Sequence, residues 1–194
     1  MRLFAALVPP VAVLGDLDRA VEPHRAARAD LRWTEREDWH ITLAFLGEVA
    51  GPVADRLAPE LALAAGRHPP LSLALAAAGA FPDPARARVL WCGLDGDRRA
   101  LAELAASVAA AAERAGAPPP DAERPFRPHL TLALARRAPA DVRDLAAALT
   151  RYQGPRWQAG RVELVESRLG GPYRYTTIGD WPLGPGHGGD TLRA

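Results

Sequence analysis

The tetrapeptide His-x-Thr-Leu occurs twice, as His40-Ile41-Thr42-Leu43 and as His129-Leu130-Thr131-Leu132, in a chain with only five histidines. Each copy lies in a short apolar run that reads as a strand. Side chains on a strand alternate faces, so each copy presents an imidazole beside a hydroxyl. Two such strands brought together would place two proton-transfer groups and two hydrogen-bond donors around one small cavity. That set suffices to open a phosphodiester without a metal. One imidazole, with an ordinary pKa near 6.5, takes a proton from the attacking water and the other gives one to the leaving oxygen, a contribution typically of ~10²–10⁴-fold per group. An anionic phosphate favours the protonated partner and pulls the two pKa values apart. Thr42 and Thr131 would donate to the non-bridging oxygens, where charge develops. The symmetry of the motif leaves acid and base unassigned. The plainer alternative, two half-buried strands with incidental histidines, has the doubled frame against it.

Other residues are softer candidates. Arg127 shares a strand face with His129 if the strand runs back past Pro128, and could contact phosphate. Phe45, Phe126, Tyr173 and Tyr175 could stack a nucleobase, with core packing as the alternative for both phenylalanines. Trp39 reads as a structural anchor. His24, His68 and His187 fall in a helix, a proline-rich turn and the tail and read as surface residues. Cys92, the single cysteine, excludes an internal disulfide and reads as a buried, inert thiol in a strand.

The elements that must position these groups can be laid out along the chain. Leu3–Val8 reads as a buried first strand ended by Pro9-Pro10. A helix follows over 11–30, with Val13, Leu14, Leu17 and Val21 on one side and Pro23 shortening or kinking it. The first motif strand runs from Trp39 to Leu46 and stops at Gly47. Pro52 opens a helix through about Ala65. Leu71–Ala78 and Arg88–Cys92 read as a hairpin. Asp97–Ala115 is the clearest helix, stopped by Gly116. The second motif strand covers 129–135, a helix 141–149, and a final strand pair 157–167 and 173–181, turned by Gly170-Gly171-Pro172. Each half thus holds a motif strand, a helix and a strand pair. The fold class predicted is α+β, bilobal, with two mostly antiparallel sheets, outer helices, a pseudo-twofold axis and a central groove. A single domain over 1–183 and a flexible tail over 184–194 are expected.

Composition narrows the chemistry. All 24 basic residues are arginine, lysine and asparagine are absent, and the net charge is +1. Without lysine, an enzyme that ligates through an adenylated lysine is excluded, as is a P-loop. Any ligation must draw on energy already stored in the substrate. No zinc spacing is present, and neither a metal nor a cofactor is expected. No signal segment or apolar run of about 20 residues is found, so no membrane partner and a cytoplasmic location are expected.

The paired motifs, with the flanks Trp39 to Glu48 and Arg124-Pro125-Phe126-Arg127-Pro128, resemble the RNA 2′,3′-cyclic phosphodiesterases, or 2′-5′ RNA ligases, of the two-histidine phosphoesterase superfamily. Arg2-Leu3-Phe4-Ala5-Ala6, Val89-Leu90-Trp91 after Phe81-Pro82, and Tyr173-Arg174-Tyr175-Thr176 with Trp181-Pro182-Leu183 fit the same pattern. The resemblance implies a bilobal fold whose motifs face a central groove. It also implies that His40 protonates the leaving oxygen and His129 activates the water, releasing a 2′-phosphate. Run in reverse, the site would make a 2′-5′ linkage. The expected partner is an RNA or oligonucleotide ending in a 2′,3′-cyclic phosphate, acted on by a monomer, with Arg127, Phe45 and Tyr175 as binding residues. The chain departs from the family where an arginine is common five residues after the second histidine. Leu134 stands there, with Arg136, Arg137 or Arg127 as possible replacements. It also has Val8 where an acidic residue is common. The alternatives are a two-histidine phosphodiesterase for a small cyclic nucleotide and a weakly active RNA-end binding module.

Overall fold

The computed structural model describes residues 1–168 and 174–184. Among the described residues, nine strands form one sheet in which every pairing is antiparallel. The strands are β1 (Arg2–Leu7), β2 (Leu31–Trp33), β3 (Ile41–Glu48), β4 (Leu71–Phe81), β5 (Val89–Gly96), β6 (Leu130–Ala135), β7 (Trp157–Ala159), β8 (Arg161–Ser167) and β9 (Tyr175–Pro182). Their order is β7-β4-β5-β6-β3-β1-β8-β9, with β2 set beside β6. The two motif strands, β3 and β6, lie at the centre and touch through a single residue pair, Ile41 with Leu130. Each half of the sheet runs outward from its own motif strand. The two expected sheets are therefore lobes of one sheet, hinged on that pair.

The strand pairs are exchanged between lobes. The β4–β5 hairpin follows the first motif strand in sequence but lies beside the second. The β8–β9 pair follows the second motif and lies beside β1 in the first lobe. Each lobe thus needs residues from both halves of the chain.

Helices α1 (Val11–Arg25), α2 (Gly51–Ala65), α3 (Arg98–Ala115) and α4 (Arg143–Ala148) cover the sheet. Helix α1 buries Val13, Leu14, Leu17 and Val21 and ends two residues after Pro23, short of the expected residue 30. Pro52 sits in the first turn of α2, as its fixed φ favours. Helix α3 buries Leu101, Leu104, Val108 and Ala112 and ends on Gly116, whose φ of 90° is the left-handed cap that glycine tolerates without strain. Helix α4 is shorter than the 141–149 expected.

The expected strand 157–167 is two strands. Trp157 and Ala159 are buried in β7, which pairs with β4; Val162 and Leu164 are buried in β8, which pairs with β1. The buried parity shifts by one residue at Gly160, and that shift turns the chain from one lobe to the other. Tyr173, His187, the turn at 170–172 and the tail from 185 on lie outside the described residues.

Candidate active site

Strand β1 is apolar on both faces, and this explains how the site is walled. Leu3, Ala5 and Leu7 enter the main core, while Phe4 and Ala6 face the other way and form a small apolar cluster with Val165, against which Phe45 and Tyr175 pack. Ala6 pairs with Thr42, so this second face is the one on which the first motif stands. In the other lobe Trp91 pairs with Thr131. Its indole lies flat over Gly79, where a Cβ would meet the ring at 2.3 Å.

Both histidines lie one residue before their strands, not inside them. Each is held by the same device. His40 Nδ1 donates to the carbonyl of Asp38 at 2.7 Å, and His129 Nδ1 donates to the carbonyl of Arg127 at 2.6 Å. A carbonyl oxygen can only accept, so the hydrogen is fixed on Nδ1 and the titrating atom of each ring is Nε2. Aromatic neighbours set the ring planes. Phe4 stacks on His40 at 4.5 Å, with Tyr175 edge-on at 5.2 Å. Phe81 stands edge-on to His129 at 5.0 Å, with Trp91 at 6.4 Å.

The Ile41–Leu130 pair crosses the two motifs. Antiparallel register places His40 across from Thr131 and Thr42 across from His129. His40 and Thr131 indeed share one pocket of about 160 Å³, together with Thr34, Asp38, Leu134, Arg174 and Tyr175. Thr42 and His129 share a larger apolar cavity of about 740 Å³, walled by Phe45, Phe81, Phe126 and Arg127 and by alanines of α3. With a rise of ~3.4 Å per residue and strands ~5 Å apart, ideal antiparallel geometry around that pair puts the two histidine Cα atoms about 8 Å from each other. Side chains from that spacing can flank one phosphorus.

A polar bolt fixes the approach to His40. Trp39 is buried, and its Nε1 donates to Thr34 Oγ1 at 2.8 Å. Thr34 in turn reaches the carbonyls of Thr131 and Leu132 with its hydroxyl, and its backbone N–H donates to Leu132. The residues just ahead of the first motif are therefore tied to the strand of the second.

Burial pushes both imidazoles below the ordinary histidine pKa, and the carbonyl bonds at Nδ1 oppose this. For His40 the charges of His129 and Arg174 lower it further. Both rings are thus biased toward the neutral form until an anion enters.

Arg174 supplies a cation to the His40 pocket, and Leu134 lines the same pocket. In the segment Tyr173-Arg174-Tyr175 the sequence singles out the tyrosines, and no local pattern marks the arginine between them. Nor does any local pattern mark Thr34 or Asp38. Of the expected replacements for an arginine at 134, Arg136 is bonded through Nε to the carbonyl of Leu31, and Arg127 sits over the Phe81 ring on the His129 side. Phe45 lines the large cavity, with Arg2 over its ring. Phe126 lines the cavity and packs on the core. His68 bonds Ser107 away from the groove. Cys92 is buried and its thiol is pushed up to about 12 by burial, which removes it as a nucleophile at neutral pH. Among the described residues, no three His, Cys, Asp or Glu side chains converge as a metal site, and no helix is long and apolar enough to cross a membrane.

A family model described as LigT like Phosphoesterase matches residues 8–91 and 94–173. A protein of Geobacillus stearothermophilus named RNA 2′,3′-cyclic phosphodiesterase is 35% identical over 156 residues, covering 78% of this chain and 47% of that protein. The chain spans about half the length of that relative. A protein of Escherichia coli K12 with the same name is 32% identical over 188 residues, 94% of this chain and 96% of its own length. The crystal structure of E. coli LigT complexed with 3′-AMP superposes with a TM-score of 0.71 at 30% identity, covering 94% of this chain and 97% of that one.

Proposed function

This chain belongs to the LigT-like phosphoesterase family, and we propose that it is a metal-independent RNA 2′,3′-cyclic phosphodiesterase with His40 and His129 as its acid–base pair. The observation that carries this reading is the crossed arrangement, in which each Nδ1-anchored imidazole stands beside the other motif's threonine. The substrate is an RNA or oligonucleotide ending in a 2′,3′-cyclic phosphate. The enzyme acts as a cytoplasmic monomer, a single bilobal domain over 1–183.

The phosphorus sits over the Ile41–Leu130 pair. Water enters from the roomy His129 side, and His129 Nε2 takes its proton as the oxygen bonds to phosphorus. The bond to the 3′-oxygen breaks on the opposite side, and His40 Nε2 gives that oxygen its proton. A 2′-phosphate remains. Thr42 and Thr131 donate to the two non-bridging oxygens, and Arg174 balances their charge. The binding of an anion offsets the burial that otherwise keeps His40 neutral, so the acid becomes protonated when it is needed. Tyr175, edge-on to His40, bounds the ribose. Phe45 and Arg127 line the cavity on the attacking side, and in the reverse direction that space would take a nucleoside with a 5′-hydroxyl. Mass action in water favours hydrolysis.

Incubation with an RNA ending in a 2′,3′-cyclic phosphate, in EDTA, followed by mapping of the terminus, tests this. A 2′-monophosphate is expected. A 3′-monophosphate would overturn the assigned direction of opening, and turnover that EDTA abolishes and zinc or manganese restores would overturn metal independence.

A further inference from the structure

Beside the His40 pocket lies a second groove, of about 570 Å³, lined by Arg32, Arg88, Arg136 and Arg137 together with Val89 and Leu134. Leu134 lines both spaces, so the groove lies next to the site. The four arginines come from three segments that the sheet brings together. Leu134 of β6 is paired with Arg32 of β2 on one side and with Val89 of β5 on the other. The carbonyl of Arg88 accepts from the N–H of Ala135, which pins Arg88 to the end of β6.

None of the four has a carboxylate partner among the described residues. Their close sequence neighbours do: Arg28 holds Asp30 and Asp144, Arg86 holds Asp83, and Arg143 holds Asp141. Composition explains why the cations are arginines but not why these four are grouped and left without partners in a chain of net charge +1. Four like charges around one groove repel one another, and a polyanion relieves that repulsion.

We propose that this groove holds the phosphates of the RNA strand immediately upstream of the cyclic end, making the enzyme prefer oligonucleotides over mononucleotides. This rests on the phosphodiesterase reading above, in which the 3′-oxygen is released on the His40 side while the ribose stays attached through its 2′-oxygen. The geometry fits a neighbouring phosphate: Leu134 lies three residues beyond Thr131 on β6, roughly 10 Å along the strand. That is beyond the reach of the reacting phosphate and within reach of the next ones along the chain. Guanidinium forks suit phosphate oxygens, and backbone contacts of this kind are indifferent to sequence.

The test compares a 2′,3′-cyclic mononucleotide with a short oligoribonucleotide carrying the same cyclic end, in wild type and in the double variant Arg32→Gln/Arg88→Gln. Arg136 is left in place because its Nε also serves the Leu31 carbonyl. For the oligonucleotide, KM should rise about tenfold or more, and the slope of log(kcat/KM) against log salt should flatten by ~0.7 for each phosphate that the variant no longer holds. Turnover of the mononucleotide should stay at the wild-type level, which also reports that the variant folds. Equal behaviour of the two proteins on the oligonucleotide overturns the inference while leaving the phosphodiesterase reading intact. If wild type opens neither substrate, that reading fails instead. Anisotropy with a labelled RNA ending in a 2′-phosphate then decides the groove by itself: weaker binding by the variant supports it, and unchanged binding overturns it.

Discussion

The Trp91 wall gives the sharpest structural perturbation. In Gly79→Ala the new Cβ would lie 2.3 and 2.4 Å from two indole carbons and 3.0 Å from a third. Carbon atoms rest at ~3.5–4.0 Å, so the ring must retreat by more than about 1 Å. It is confined between Phe81, at 5.3 Å, and His129, at 6.4 Å, so its motion passes to the imidazole. Overpacking of this kind costs typically ~1–3 kcal/mol, and a displacement of about 1 Å at a reacting group costs up to ~10²-fold in rate. Urea unfolding and kcat on a cyclic-phosphate RNA, measured on the same preparation, should both fall. Gly179→Ala is the control, since its Cβ would meet Trp181 at 2.9 Å in β9, away from both histidines. It should lose stability and keep kcat. Replacing the indole as well, in Gly79→Ala/Trp91→Leu, should recover part of the stability. The reasoning is refuted if Gly79→Ala leaves kcat untouched while destabilising the fold, or if Gly179→Ala slows turnover as much.

Because burial, opposed by the carbonyl bonds, holds both imidazoles low in the free enzyme, with the charges of His129 and Arg174 lowering His40 further, the kcat/KM profile should be centred on the acid side of ~6.5, and the kcat profile should move upward once the anion is bound; a kcat/KM optimum well above that value contradicts it. Arg174→Ala removes a charge that lowers His40, so the alkaline limb should shift up, and movement of the acid limb instead would reverse the acid and base assignment. Thr42→Val and Thr131→Val keep strand propensity and remove one donor each, and each should cost ~10²–10³-fold in kcat with the melting temperature nearly unchanged; wild-type kcat in either would remove that threonine from the chemistry. Thr34→Val leaves the buried Trp39 Nε1 without its acceptor, so denaturant unfolding should register a loss of ~1–3 kcal/mol, and no loss would show the bolt to be dispensable.

The candidate site was legible because its motifs lie in short local patterns. A doubled His-x-Thr frame fixes residue type, spacing and face at once, and Pro52 and Gly116 mark helix ends through backbone constraints that act locally. What escaped depends on which strands meet. The exchange of β4–β5 and β8–β9 between lobes is a topological fact with no local signature. The break at Gly160 did have one, since buried parity changes from Trp157 and Ala159 to Val162 and Leu164, but a continuous apolar run hides a one-residue slip. Arg174 joins His40 only because β9 returns to the first lobe. The histidines precede their strands because their Nδ1 atoms turn back to carbonyls two residues upstream, a bond that periodicity cannot reveal.

The claim on which the chemistry rests is that two imidazoles serve one phosphorus. Single-turnover rates for His40→Ala, His129→Ala and the double variant, on the same cyclic-phosphate RNA, test it most directly. Groups that act as a unit are strongly non-additive: each single variant should lose ~10²–10⁴-fold, and the double should be little slower than either. Substantial turnover in one single variant, or losses that simply multiply in the double, would mean that the two rings do not share a reaction.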